Sequence, residues 1–147
     1  MTVEMQYDLA LKIATEAHAG QVDKSGVDYI NHPIAVASFC RNPRAKVAAL
    51  LHDTIEDTSV TEADLRRLGL DEDIVDAVVL LTKSKDFDKD RDLDTYLLKI
   101  KNNPIAREVK ICDLLHNMDP KRTMKDMEWK AKKTAEYYEQ FKYLFLE

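Results

Sequence analysis

Glycine and proline are so sparse in this chain that they constrain its fold class before any motif is read. Three glycines and four prolines punctuate 147 residues, whereas a β sandwich or barrel needs turn residues every roughly 8–12 positions. The expectation is therefore an all-α chain, a compact bundle of about seven or eight helices. The length suits one domain with a single substantial core, and no linker, internal repeat or low-complexity stretch divides it. One domain over residues 1–147 is expected.

Periodicity places the helices. Leu9, Ile13, Ala14 and Ala17 recur at helical spacing from about Glu4 to Ala19, and Gly20 ends that helix. Gln21 to Asn31 reads as a loop turning at Lys24-Ser25-Gly26, with at most a tiny hairpin near Tyr29. His32-Pro33 opens a second helix, because proline suits a first helical position. After Asn42-Pro43 a third helix is expected from about Arg44 through Asp53. Thr61 and Asp64 have the spacing of a capping box for a short helix that stops at Gly69. Further helices are expected over about Asp71–Lys83, Asp92–Lys101, from Pro104 onward, and about Met124–Leu146. The charged stretch Ser84–Asp92 reads as a solvated, mobile loop. Trp129, Tyr137, Tyr138, Phe141 and Phe145 on the last helix read as packing residues rather than a ligand platform.

The net charge of −5 carries no basic footprint, so no nucleic-acid partner is expected. Cys40 and Cys112 form no CxxC pair and sit among apolar neighbours, which predicts two buried free thiols. There is no secretory h-region and no run of about 20 apolar residues, so no membrane association is expected and a reducing cytoplasm is the default location. Nothing in the sequence sets an oligomeric state.

The chemistry concentrates in Ala49-Leu50-Leu51-His52-Asp53-Thr54-Ile55-Glu56-Asp57-Thr58. An apolar run carries a helix into the interior and then delivers a cluster of polar groups, which must be satisfied by water, by one another or by a cation. His52 pairs with Glu56, and Asp53 with Asp57, at helical i, i+4 spacing. Asp113 is an acid inside the apolar flanks of another predicted core helix, with Asn117 one turn later, and His32 stands at the mouth of the second helix. Two imidazoles and two carboxylates suit a borderline divalent ion such as Mn²⁺, Fe²⁺, Co²⁺ or Zn²⁺. Each element alone has a plainer reading. A His-Asp pair caps a helix end, Asp113 pairs with Lys110, and His32 caps before a proline. The ordered combination, His…His-Asp…Asp, favours the metal.

That pattern resembles the HD superfamily of metal-dependent phosphohydrolases, and more closely the hydrolase domain of Rel/Spo-type enzymes and the small alarmone hydrolases. The similar segments are Ala17-His18-Ala19-Gly20-Gln21, Lys24-Ser25-Gly26, Tyr29-Ile30-Asn31-His32-Pro33, Leu50-Leu51-His52-Asp53, Glu56-Asp57, and Lys110, Asp113 and Leu115-His116-Asn117-Met118. The resemblance implies an all-α HD bundle and assigns His32, His52, Asp53 and Asp113 as ligands of a divalent metal, with Mn²⁺ foremost. It implies that Glu56 and Asp57 orient and deprotonate an attacking water. Lys24 and Ser25 match a loop that contacts the nucleotide, and Asn117 a residue near the ribose or 3′-phosphate. His18 and His116 read as structural or supporting groups.

The chain also departs from that pattern. Asp23 stands where the family loop has arginine, and Asp119-Pro120 where a basic residue and threonine follow. A carboxylate in place of a guanidinium removes a bidentate phosphate clamp. Lys121 and Arg122 lie just beyond and can supply cations from another direction. The implied reaction is hydrolysis of a phosphoester or pyrophosphate bond in a small nucleotide, with the 3′-pyrophosphate of guanosine tetraphosphate as its model. The alternatives are another nucleotide substrate (a nucleoside monophosphate, dinucleotide or cyclic nucleotide) or a non-catalytic nucleotide-sensing module. Intact Glu56 and Asp57 argue against the sensor.

Overall fold

Side-chain caps and two prolines set most of the helix starts. Thr2 Oγ1 accepts the N–H of Met5 at 3.1 Å, and Asn42 Oδ1 that of Arg44 at 2.9 Å. Asn103 Oδ1 accepts the N–H of Ala106 at 3.0 Å. Each satisfies a donor that the first helical turn leaves without a partner. Pro43 and Pro104 occupy first-turn positions, where a missing N–H costs nothing. The computed structural model describes residues 1–120, 122 and 127–146. Over these residues it contains α1 (Val3–Ala17), α2 (Asn31–Phe39), α3 (Pro43–Leu51), α4 (Thr54–Asp57), α5 (Glu62–Arg67), α6 (Glu72–Leu81), α7 (Lys89–Lys101), α8 (Pro104–Asn117) and α9 (Met127–Phe145).

The all-α expectation holds, with no strand among the described residues and only an isolated bridge between Val22 and Asp28. Two expectations are corrected. The helix expected to run through Asp53 ends at Leu51, and a turn at His52-Asp53 separates it from the single-turn α4. The stretch expected to stay a loop until Asp92 becomes helical at Lys89. There Asp88 Oδ1 accepts the N–H groups of Asp90 and Arg91, and Asp92 Oδ2 accepts that of Asp88. The capping box at Thr61 and Asp64 is present in both directions.

α3 is the central element. Ala45 and Val47 to Leu51 are all fully buried, as expected of a helix apolar on nearly every side. It packs against α1, α2, α6 and α8, and α8 packs in turn on α2, α6, α7 and α9. The core of α3 and α8 thus lies directly beneath the turn that carries His52 and the part of α8 that carries Asp113. Cys40 and Cys112 are free and buried in this core, as expected. None of the described helices is long and apolar enough to cross a membrane.

Candidate active site

The break after α3 is where the polar cluster begins. Helix ends leave carbonyls unsatisfied, and here His52 Nδ1 meets the Ala49 carbonyl oxygen at 2.6 Å while Thr54 Oγ1 donates to that of Leu51 at 2.8 Å. A carbonyl only accepts, so His52 carries a proton on Nδ1 and turns Nε2 away from the helix. Nε2 lies 3.1 Å from Asp53 Oδ2 and 3.3 Å from Asp113 Oδ1. His32, the second residue of α2, brings its own Nε2 to 2.8 Å from Asp113 Oδ1. One ligating atom from each of His32, His52 and Asp53 falls within a 4.8 Å group. His32, His52 and Asp113 are all buried.

These residues fit a divalent cation on chemical grounds. With its Nδ1 proton fixed on a carbonyl, a neutral His52 would point a lone pair at two carboxylates, and only a positive charge between them relieves that arrangement. A proton does so without a metal. Burial opposes charge on His52, yet the carboxylates of Asp53 and Asp113 outweigh it and hold the imidazole pKa well above its ordinary value. Burial likewise opposes the charge on Asp113, while Lys110, His32 and His52 hold its pKa well below the carboxylate range. Lys110 Nζ sits 3.2 Å from Asp113 Oδ2, so the plainer ion-pair reading of Asp113 and the cluster reading coexist on its two oxygens.

The cluster forms the floor of a cleft of about 560 Å³. Glu56 and Asp57 line it, and Glu56 Oε1 accepts the backbone N–H of Lys83 at 2.7 Å. Desolvation, followed by the charges of Asp53 and Glu56, raises the pKa of Asp57. Lys24 and Asn117 line the cleft, with Lys24 Nζ 3.7 Å above the Trp129 ring. Arg122 also lines it, donating to Asn117 Oδ1 at 2.6 Å and facing Asp23 Oδ2 at 3.4 Å. The other Asp23 oxygen accepts the N–H groups of Ser25 and Val27, at 2.8 and 3.0 Å. Asp23 therefore builds the loop and holds the arginine that arrives from the far side. Ser25 itself is exposed and does not line the cleft. Lys121 lies outside the described residues.

Several lining residues went unread in the sequence. Tyr29 donates its hydroxyl to Asp53 Oδ2 at 2.5 Å. Burial first, then Asp53, raises its pKa, so the phenol keeps its proton. Lys83, Tyr96 and Lys133 add to the walls, and so do Trp129 and Tyr137, which the sequence predicts as packing residues; Tyr137 also packs against the core. Tyr29 stands in a segment already singled out beside His32. The others come from distant stretches with no local signature. His18 is buried with Nδ1 2.9 Å from Gln21 Oε1, and its Nε2 has no hydrogen-bond partner among the described residues.

Residues 10–145 match the HD domain as a protein family. The chain belongs to the HD-domain family. This HD domain is 38% identical over 144 residues to a GTP pyrophosphokinase of Streptomyces coelicolor, covering 90% of this chain and 17% of that protein. It is 48% identical over 79 residues to a guanosine-3′,5′-bis(diphosphate) 3′-pyrophosphohydrolase of Haemophilus influenzae, covering 50% of this chain and 12% of that one. To the bifunctional (p)ppGpp synthase/hydrolase SpoT of Escherichia coli it is 34% identical over 119 residues, covering 74% and 17%. The HD domain thus spans less than a fifth of these relatives' length. A solved metazoan orthologue of SpoT, described as hydrolysing ppGpp, matches with a TM-score of 0.76 at 23% identity, over 95% of this chain and 83% of that one. That likeness is one of fold.

Proposed function

We propose that this HD domain is a metal-dependent phosphohydrolase that removes the 3′-pyrophosphate of guanosine tetraphosphate or a closely related nucleotide. The observation that carries the reading is the convergence of His32, His52, Asp53 and Asp113 on the floor of a cleft with both acidic and cationic walls. Those four residues would hold the ion, with Mn²⁺ the first choice. A bound divalent ion supplies Lewis acidity, polarising the attacked phosphoryl group and acidifying the attacking water. Relatives named for this pyrophosphohydrolase activity support the substrate class.

The remaining steps belong to the chain. Glu56, anchored through the Lys83 N–H, and Asp57, whose raised pKa suits a proton acceptor, together aim the water and take its proton. Tyr29 holds Asp53 in place through its hydroxyl. Lys24, Asn117 and Arg122 contact the phosphates and ribose, with Lys121 beside them in sequence. Ser25 contributes through the loop backbone, which Asp23 shapes.

The test is pyrophosphate release from guanosine tetraphosphate by the Mn²⁺-loaded protein, beside an Asp53→Ala variant. Release by the wild type alone is expected. Equal release by the variant, or none by a wild type with Mn²⁺ demonstrably bound, overturns the reading.

A further inference from the structure

His116 lies one turn beyond Asp113 on α8 and belongs to the same cluster without being one of the four convergent residues. Its Nδ1 is 2.7 Å from Nδ1 of His32, whose other nitrogen faces Asp113 Oδ1 at 2.8 Å. Two imidazole nitrogens at that separation share one proton, one donating and the other accepting. If His32 carries its proton on Nε2, it donates to Asp113 and its Nδ1 accepts. If the proton is on Nδ1, Nε2 presents a lone pair toward His52, Asp53 and Asp113. Only the second tautomer ligates a cation.

In that tautomer the Nδ1–H needs an acceptor. Two groups within reach are His116 and Arg122, whose guanidinium nitrogen lies 3.2 Å away. A guanidinium has no acceptor lone pair, so Arg122 can serve only the tautomer that does not ligate. We propose that His116 is a positioning residue for His32: its Nδ1 lone pair accepts the hydrogen bond of the His32 Nδ1–H and so selects and orients the tautomer whose Nε2 binds the cation. The His116 ring lies between His32, from which it is tilted by only 23° with centroids 4.9 Å apart, as an in-plane N–H···N bond requires, and the Phe39 ring at 5.9 Å.

The proposal rests on His32, His52, Asp53 and Asp113 being the metal site. Its test is Mn²⁺ affinity by isothermal titration for the wild type and for His116→Ala, His116→Asn and Asp53→Ala, each checked for folding by circular dichroism. His116→Ala is expected to weaken Mn²⁺ about 10–100-fold. Asn places an amide oxygen near the lost Nδ1 and is expected to restore most of that affinity. In the Zn²⁺-loaded wild type, a long-range ¹H–¹⁵N spectrum is expected to show His32 protonated on Nδ1. Unchanged affinity in a folded His116→Ala, or an Asn variant as weak as Ala, overturns the positioning role while Asp53→Ala still abolishes binding. If Asp53→Ala binds Mn²⁺ like the wild type, the metal site is misplaced and both readings fall.

Discussion

Glu56 Oε1 is committed to the Lys83 backbone N–H, which anchors an otherwise exposed carboxylate at the edge of the cleft. Gln at this position keeps that hydrogen bond and loses only the basic oxygen. Glu56→Gln should therefore lower kcat about 10²–10⁴-fold while leaving Mn²⁺ affinity unchanged. Steady-state kinetics beside a metal titration check this, and wild-type kcat would leave the proton to Asp57 alone. At this scale the sequence was informative wherever a polar residue interrupted an apolar run. His52 and Asp113 stood out because burial demands a partner for each. Lys83 and Lys133 gave no such signal, since long solvated cations are ordinary on helices and only the fold brings these two to one cleft. Asp23 was read as a lost phosphate clamp. In the folded chain its two oxygens do separate work, one shaping the loop and one holding Arg122.

Among the elements, the two-residue turn between α3 and α4 is what directs His52 and Asp53 toward α2 and α8. The sequence carries no glycine or proline there, so local propensity predicted an unbroken helix. The side-chain bonds of His52 and Thr54 to the ending carbonyls explain why it stops. A second junction ties the start of α3 to the start of α6. Arg44 donates to Asp71 Oδ2 at 2.8 Å and to Asp73 Oδ2 at 2.7 Å. Its guanidinium lowers the pKa of Asp73 below the ordinary 3.8; that of Asp71 is lowered too, first by its bond with Gln6 and then by the one from Arg44. A carboxylate with a depressed folded pKa contributes stability that is present at neutral pH and lost as pH falls below 3.8 through the folded value. Arg44→Ala should accordingly destabilise the protein at pH 7 and flatten the acid side of its stability profile. Urea melts at pH 7 and near pH 3 check this, and an equal loss at both values would refute it.

For the molecule as a whole, the candidate site draws on α2, the α3–α4 junction and α8, which come together only in the folded chain. A cation held there binds the native state and has no preformed site in the unfolded one. Mn²⁺ at about 100 times its Kd should add about 2.7 kcal/mol of stability and raise Tm by roughly 5–10 °C. Differential scanning calorimetry with the metal varied checks this, and Asp53→Ala should remove the shift. The overall class was legible because so few residues interrupt the helical pattern. The cleft was less so, because its far wall is supplied by α9 and by Arg122, and no local periodicity reveals which face of a terminal helix returns to the site.

Trp129 is the only tryptophan in the chain, and the Lys24 ammonium rests 3.7 Å above its ring inside the cleft. Indole emission responds to a charge at that distance. A phosphate that draws Lys24 toward itself takes the charge off the ring, so the protein carries its own fluorescent reporter of whether the cleft is filled.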